Sequence, residues 1–587
     1  MDRQAWIAVT LCVLGLIGWQ FYMAQHAPPV LPPPAPALVP DAAPSPTAAA
    51  AATPADPAAV AATDPATSDP AAAAELEADF VEKIEPLRNS DVELRLTTRG
   101  GGIVEAHLLN HAGDKGEGVV ILNSPDRLPI GAILERPEAT KLPEFTVARQ
   151  VDGSVQFERL TPGGVTVRKR YFFPPTEAKR DNFVAEMQLE FRNDGAQPYR
   201  NPGYFLALGS TKPVHENDFP AYTRLVWYVG GKAKGIDVNW FPAQNYPLVG
   251  IEKRPAQEYY RETVTADWAG MSNQFFTTLV TPLDAKASEV WGRRFEMPGA
   301  DGHTTLGVEG AMGMPAFEIA PGQTHALRLQ IYAGPKLYNR LARLNHDEAA
   351  IMNFGMWKLV SEALLNFMNL LHGWVKDYGV AIILLTACVK GVLWPLQNKA
   401  NRSMRKMSAL APKMQELREK FKDDPTKMNQ EVMKLYKDHG VNPVGGCLPM
   451  LIQIPIFFGF FTMLGQAAEL RNASFLWISD LSQPDTVAYL PGFNFPINLL
   501  PILMGASSFW LMRMTPNTGD AMQRRILMFM PLIFLIFCYN FAAALALYYT
   551  TQNLFTILQL WVNKRQPLPE IAKPPPPPTK RSRKGKS

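Results

Sequence analysis

The sequence predicts an α-helical polytopic membrane protein, with six transmembrane helices and a helical hairpin on the inner side, that carries a large all-β sandwich on the outer side. Three observations predict this. Chargeless apolar runs recur along the chain, residues 80–345 alternate apolar and polar at strand period, and charge is segregated. Residues 25–350 hold 31 Lys+Arg and 40 Asp+Glu, whereas the remainder holds 27 and 14. At 587 residues, 47% hydrophobic and 19% charged, the chain is too long for one compact domain and too apolar to be disordered. That balance argues against a purely soluble enzyme.

A hydrocarbon core of about 30 Å needs roughly 20 apolar helical residues. Residues 5–24 supply one such run and form an anchor within 1–26; its nearest Ala-x-Ala, Ala35 to Ala37, lies in a proline tract, which argues against a cleaved signal. Residues 378–396, 446–466 and 496–512 each read as one span, the first interrupted by Lys390 alone. The chargeless run 526–562 has 37 residues, which would reach about 55 Å as one helix. It therefore folds back near Asn540 to Ala544 as two spans. The flanking Lys and Arg orient them: 397–441, 513–525 and 563–587 are basic and belong inside, while 467–495 and the acidic 25–350 belong outside. Both termini then face the cytoplasm. The four cysteines, Cys12, Cys388, Cys447 and Cys538, all lie in apolar runs, so no disulfide framework is expected.

Among the soluble parts, 27–75 is a semi-extended spacer, since 20 Ala and 13 Pro among residues 27–74 cannot bury a core. Residues 76–349 form the β-sandwich. In Phe183 to Arg192 the odd positions are apolar, a turn follows at Asn193-Asp194-Gly195, and Leu327, Leu329 and Ile331 alternate likewise. Within 350–377, Trp357, Val360, Leu364, Phe367 or Met368, and Leu371 recur at helical spacing and predict an amphipathic helix lying flat on the outer membrane face. Residues 378–562 form the core, with a cytoplasmic coiled-coil hairpin over 397–441. Its seam is Met407, Leu410, Met414, Leu417 and Phe421 at 3-4-3-4 spacing, and Asp423-Asp424-Pro425 breaks the helix before Met428, Val432, Leu435 and Tyr436 resume it. Ribosomal RNA, anionic lipid or a targeting factor would suit this basic element.

Lys390 is the only charge within the spans. An ionisable group there costs roughly 3 kcal/mol on insertion scales, so a lone ammonium predicts water or a functional partner unless it snorkels to the inner interface. Thr386 shares its helix face. Gln453 in the third span and Tyr548, Tyr549, Thr550, Thr551, Gln552 and Asn553 in the last need partners other than lipid tails. Together they predict a hydrated pocket open to the cytoplasm. No G-x-x-x-x-G-K-[ST] occurs, so neither nucleotide, cofactor nor metal is expected.

The stretch Lys390-Gly391-Val392-Leu393-Trp394-Pro395-Leu396, then Asn442-Pro443-Val444-Gly445-Gly446-Cys447-Leu448-Pro449 running into Leu451-Ile452-Gln453-Ile454-Pro455-Ile456-Phe457, and Leu547-Tyr548-Tyr549 through Asn553, resembles the YidC/Oxa family of membrane protein insertases. The resemblance is close over 350–565, and the rest matches the Gram-negative architecture more loosely. It implies a multi-pass protein of the bacterial inner membrane with residues 27–377 mostly periplasmic, not an enzyme, that inserts and helps fold newly made membrane proteins. The groove it implies is open to cytoplasm and lipid, holds a cation, and is lined by Lys390, Thr386, Tyr548, Tyr549, Gln453 and Asn553. Where well-known members carry Arg this chain has Lys390, which keeps the charge and loses the planar fork. The partners it implies are nascent membrane proteins, the Sec translocon (the SecY complex and SecDF), the ribosome and signal recognition pathway, and lipids. Lys580, Arg581, Arg583, Lys584 and Lys586 in the tail are the expected ribosome or targeting contacts. A substrate span would then pass into lipid between the second and last helices. The residues also leave room for a small-anion channel using Lys390, or a membrane-tethered carbohydrate-active protein working through 80–345.

Overall fold

The computed structural model describes residues 80–565 apart from 140, 175–180, 216–217, 246–251, 299–303, 423, 442–443, 493–494 and 516–520; side chains of 115, 425, 444–451 and 521–527 are also left aside. The expected anchor, the Ala/Pro spacer and the basic tail with Lys580 to Lys586 lie outside the described residues.

From Ile84 to Pro335 the chain is built of antiparallel strands. A nine-stranded sheet runs, edge to edge, Lys232–Asp237, Arg224–Val229, Trp268–Ser272, Phe276–Pro282, Thr324–Pro335, Val184–Asn193, Val165–Phe172, Val155–Leu160 and Thr146–Arg149. A five-stranded sheet (Tyr259–Ala266, Ala287–Pro298, Thr304–Met314, Tyr204–Thr211, Ile133–Leu134), a four-stranded sheet (Ile84–Arg88, Val92–Thr97, Gly102–Ala112, Val119–Leu122) and two short strand pairs (Tyr199–Asn201 with Phe317–Ile319, Gln244–Asn245 with Glu252–Arg254) make up the rest of the β-rich part. The alternation sets the register. Ala185, Met187 and Leu189 are buried and pair with Ile331, Leu329 and Leu327, while Glu186, Gln188 and Glu190 are only partly covered. Asn193 makes the turn at 193–195 by accepting from the Gly195 amide at 3.0 Å. Trp227, Trp268 and Trp291 fill the core with their side chains fully buried.

The helices follow: α1 Lys358–Val375, α2 Tyr378–Ala409, α3 Ala411–Lys420, α4 Pro425–Asp438, α5 Val444–Leu464, α6 Leu499–Met514, α7 Ala521–Cys538 and α8 Ala543–Lys564. In α1, Leu364, Leu365, Met368 and Leu371 are buried, while Leu359, Leu370 and Trp374 stand exposed along the opposite side. This helix is apolar on two faces, not one. Asp377 caps α2 by accepting from the Val380 amide at 2.9 Å. At 32 residues α2 reaches about 48 Å, well beyond a bilayer core, and continues through Pro395 without ending. The expected run back near Asn540 is a break at 539–542 between α7 and α8. By length and composition α2 is the one described helix long and apolar enough to cross a membrane, and Ile452–Leu464, Leu499–Met514 and Met528–Cys538 are shorter apolar helices.

The hairpin departs from expectation in one respect. The seam Met407 to Phe421 is split between α2 and α3, because Pro412 sits in the first turn of α3 and starts a new helix after Leu410. Leu410, Met414, Tyr436 and Val441 are buried together, with Met407, Val432 and Leu435 packed on them. Leu417 is half-buried, and the Phe421 ring lies between the Lys420 and Lys427 ammoniums at 5.7 and 5.6 Å. Asp424 caps α4 by accepting from the Lys427 amide at 3.0 Å, with Pro425 at the start of the helix.

Loop 465–498 ties the helices to the β-rich part. Arg471 donates to the carbonyls of Ala112 (2.6 Å) and Gly113 (2.9 Å) and covers the Phe276 ring. The Gln483 side chain meets His215 Nδ1 at 2.9 Å and Asp218 at 3.3 Å. Its carbonyl and that of Leu481 accept from Ala543 and Ala544, the first amides of α8. Phe475 packs so closely on Gly379 that a Cβ there would meet its ring at 2.1 Å.

Candidate functional site

Chargeless helices need their polar side chains paired inside the bundle, and the pairing in α2, α5 and α8 defines the site. Lys390 lies on α2, 5% exposed, and its Nζ donates to Thr556 Oγ1 on α8 at 3.0 Å. An ammonium has three donors. Among the described residues no carboxylate pairs with it. Thr386, one turn earlier, is buried and returns its hydroxyl to the Ile382 carbonyl at 2.7 Å. Gln453 on α5 donates to Gln552 Oε1 at 3.0 Å and, at 3.5 Å, to the hydroxyl of Tyr548. Tyr548 stacks on Phe460 with centroids 3.9 Å apart.

The expected residues are therefore brought together in part. Lys390, Thr386, Tyr548 and Gln453 fall where α2, α5 and α8 meet. Tyr549 points elsewhere, its ring 5.9 Å from Phe457 of α5 and 4.9 Å from Phe534 of α7. Asn553 faces α6, where it donates to Ser507 (3.0 Å) and Ser508 (2.8 Å).

Sequence reasoning missed the rest of one stripe. Gln552, Thr556, Gln559 and Asn563 step along α8 by 4, 3 and 4 and share one face. Gln559 donates to Asn398 Oδ1 at 3.0 Å and to the Trp394 carbonyl at 3.3 Å, Asn563 donates to Asn398 Oδ1 at 2.9 Å, and Arg405 donates to the Asn563 carbonyl at 2.8 Å. The 4-3-4 spacing was the available signal.

This ladder joins α2 and α8 along their seam. A span leaving between those helices would strip several buried polar groups of their partners, at about 1–3 kcal/mol each. Between α5 and α7 the described contact is apolar, the rings of Phe457 and Phe534 lying 5.9 Å apart. The outward face of α7, with Phe529, Ile533, Ile536 and Phe537, is exposed and apolar.

Against known proteins, the family described as 60Kd inner membrane protein matches residues 370–569, and the YidC periplasmic domain matches residues 86–367. A membrane protein insertase YidC from Syntrophobacter fumaroxidans is 38% identical over 304 residues, 51% of this chain and 53% of that relative. One from Syntrophus aciditrophicus is 30% identical over 588 residues, 96% of this chain and 100% of that relative. The chain thus spans about half of the first relative and the whole of the second. A crystal structure of an active YidC insertase with its first transmembrane domain resolved is 19% identical, covering 83% of this chain and 95% of that one at a TM-score of 0.34. With both the helical and the β-rich segments matched, and a relative aligned from end to end, the chain belongs to the YidC family of membrane protein insertases, a family of inner-membrane proteins.

Proposed function

We propose that this protein inserts newly made membrane proteins into the inner membrane and helps them fold, through a polar site centred on Lys390. In this reading the chain crosses the membrane six times with both termini and the α3–α4 hairpin in the cytoplasm, and the β-rich part in the periplasm. The observation that carries it is the Lys390 ammonium, enclosed in the bundle and, among the described residues, with one acceptor and no paired carboxylate. A span with a short hydrophilic outer segment is slowed mainly by dehydration of that segment. A cation partway into the bilayer, beside the Gln453, Tyr548 and Gln552 dipoles, attracts acidic residues on it and shortens the dehydrated distance. Weak attraction suits the task, since a tightly held chain could not leave. The apolar span then departs past Tyr549, between α5 and α7, where apolar rings rather than hydrogen bonds must part. Membership of the family and the relatives' shared name support the activity; the Sec translocon, SecDF, the ribosome and the signal recognition pathway are the partners we propose.

The test is insertion of a small two-span substrate into reconstituted vesicles by Lys390→Arg, Lys390→Ala and Lys390→Glu. Arg should sustain insertion and Glu should slow substrates with acidic outer segments at least ~10-fold, equivalent to ~1.4 kcal/mol. Equal rates for all three, with every variant folded, would refute the role given to the charge.

A further inference from the structure

The strands Thr486–Leu490 and Phe495–Asn498 pair as an antiparallel hairpin beside the start of α6 and the end of α7. An edge hairpin standing in water would be expected to turn its polar side chains outward. Here Val487, Tyr489, Leu490 and Phe495 are exposed, Tyr489 by 63% and Phe495 by 51%. From Thr486 to Met512 the sequence carries no charge at all. The nearest acid, Asp485, is buried and turned inward, accepting from the Leu500 amide at 2.7 Å and from the Trp477 indole at 3.2 Å.

Two further observations say what covers this surface. The hairpin is continuous with the apolar exterior of the helices: Asn498 leads directly into α6, Phe495 stacks on Tyr539 at 5.3 Å, and Tyr539 donates to the Pro496 carbonyl at 2.7 Å. The exposed faces below it carry Leu503, Trp510 and Phe529. Also, α6 has 16 residues, about 24 Å of helix against a hydrocarbon core of about 30 Å, so apolar surroundings reach past its end onto the hairpin. Aromatic rings with a polar edge, such as Tyr489 and the neighbouring Trp477, are the side chains that favour the headgroup boundary.

We propose that the hairpin 486–498, with Trp477 beside it, is a lipid-docking surface that seats in the headgroup region of the outer leaflet and fixes the depth of α6 and α7. The word outer rests on the topology proposed above, whereas the docking itself is read without any substrate and stands or falls apart from insertion. The experiment uses the full chain with Cys12, Cys388, Cys447 and Cys538 replaced by Ser, carrying a nitroxide at Y489C in vesicles of phosphatidylethanolamine and phosphatidylglycerol. M433C on the cytoplasmic hairpin serves as the aqueous reference and I536C as the lipid-tail reference, both positions being exposed. The ratio of collisions with oxygen to those with a water-soluble nickel chelate should shift at 489 to a value between the two references. F495C supplies the same reading should Y489C fail to fold. A ratio at 489 equal to that at 433 would place the hairpin in water and overturn the proposal. Protection from both reagents would overturn it too, in favour of a second copy if protection grows with the protein-to-lipid ratio and of the protein's own chain if it does not.

Discussion

Lys169 in the β-rich part and Lys390 in the helical bundle, two of the three buried lysines among the described residues, are treated differently by their surroundings. Lys169, on the strand Val165–Phe172, is fully buried, donates to the carbonyls of Gly100 (2.7 Å) and Gly131 (2.8 Å), and lies 5.0 Å from the centre of the Phe145 ring. Burial pulls its pKa down to about 7. Lys390 is nearly as enclosed yet, among the described residues, meets one hydroxyl. A lysine whose donors are consumed is a fastener. One with donors to spare can serve a visitor.

The largest effect should come from cutting the fastener. Lys169→Met orphans two buried carbonyls and should cost about 2–4 kcal/mol in urea unfolding, with insertion per folded molecule unchanged. Lys390→Met should do the reverse, leaving unfolding within about 1 kcal/mol while insertion of acidic substrates falls. Matched unfolding losses in both variants would erase the distinction. Next in size is pH. Between about 7 and the ordinary 10.5 the unfolded chain holds a proton on Lys169 that the folded chain lacks, so this group makes stability rise with pH across that window, by at most ~1.4 kcal/mol per unit. Hydrogen-exchange protection of Thr166 to Tyr171 should follow that rise, and Lys169→Met should flatten it. A smaller effect is expected at the seam. Asn398→Ala removes the acceptor shared by Gln559 and Asn563 and should widen the spin-label distance between the C-terminal ends of α2 and α8, with about 1–2 kcal/mol lost. Smallest is deletion of 573–587, which should weaken ribosome co-sedimentation in a salt-sensitive way.

How legible all this was depends on the range of the interaction. Strand alternation at 183–192, the turn at 193–195, the helix break ahead of Pro425 and the break before Ala543 are local, set by side-chain period and backbone chemistry, and they read directly. The split at Pro412 was also local, but the 3-4-3-4 seam ran across it and drew attention away from the ring. In the site, Lys390 stood out because charge in a chargeless span is costly. Thr556 and Gln559 did not, since the dense cluster from Tyr548 to Asn553 overshadowed a sparser stripe beyond it. Asn553 illustrates the opposite error: polarity alone does not say which neighbour a helix face meets, and here it meets Ser507 and Ser508. Contacts such as Arg471 with Ala112 join residues 359 positions apart and leave no periodic trace.

The hold on the first amides of α8 has a mechanical corollary. Leu481 and Gln483 grip that helix at its start, and Gln483 is in turn gripped by His215 and Asp218 of the β-rich part. With one end pinned to a massive body, the rod cannot slide or lift; it can pivot. Displacement then grows along its length, so any movement of this helix is greatest toward Lys564 and least at Ala543 and Ala544, where Leu481 and Gln483 hold it.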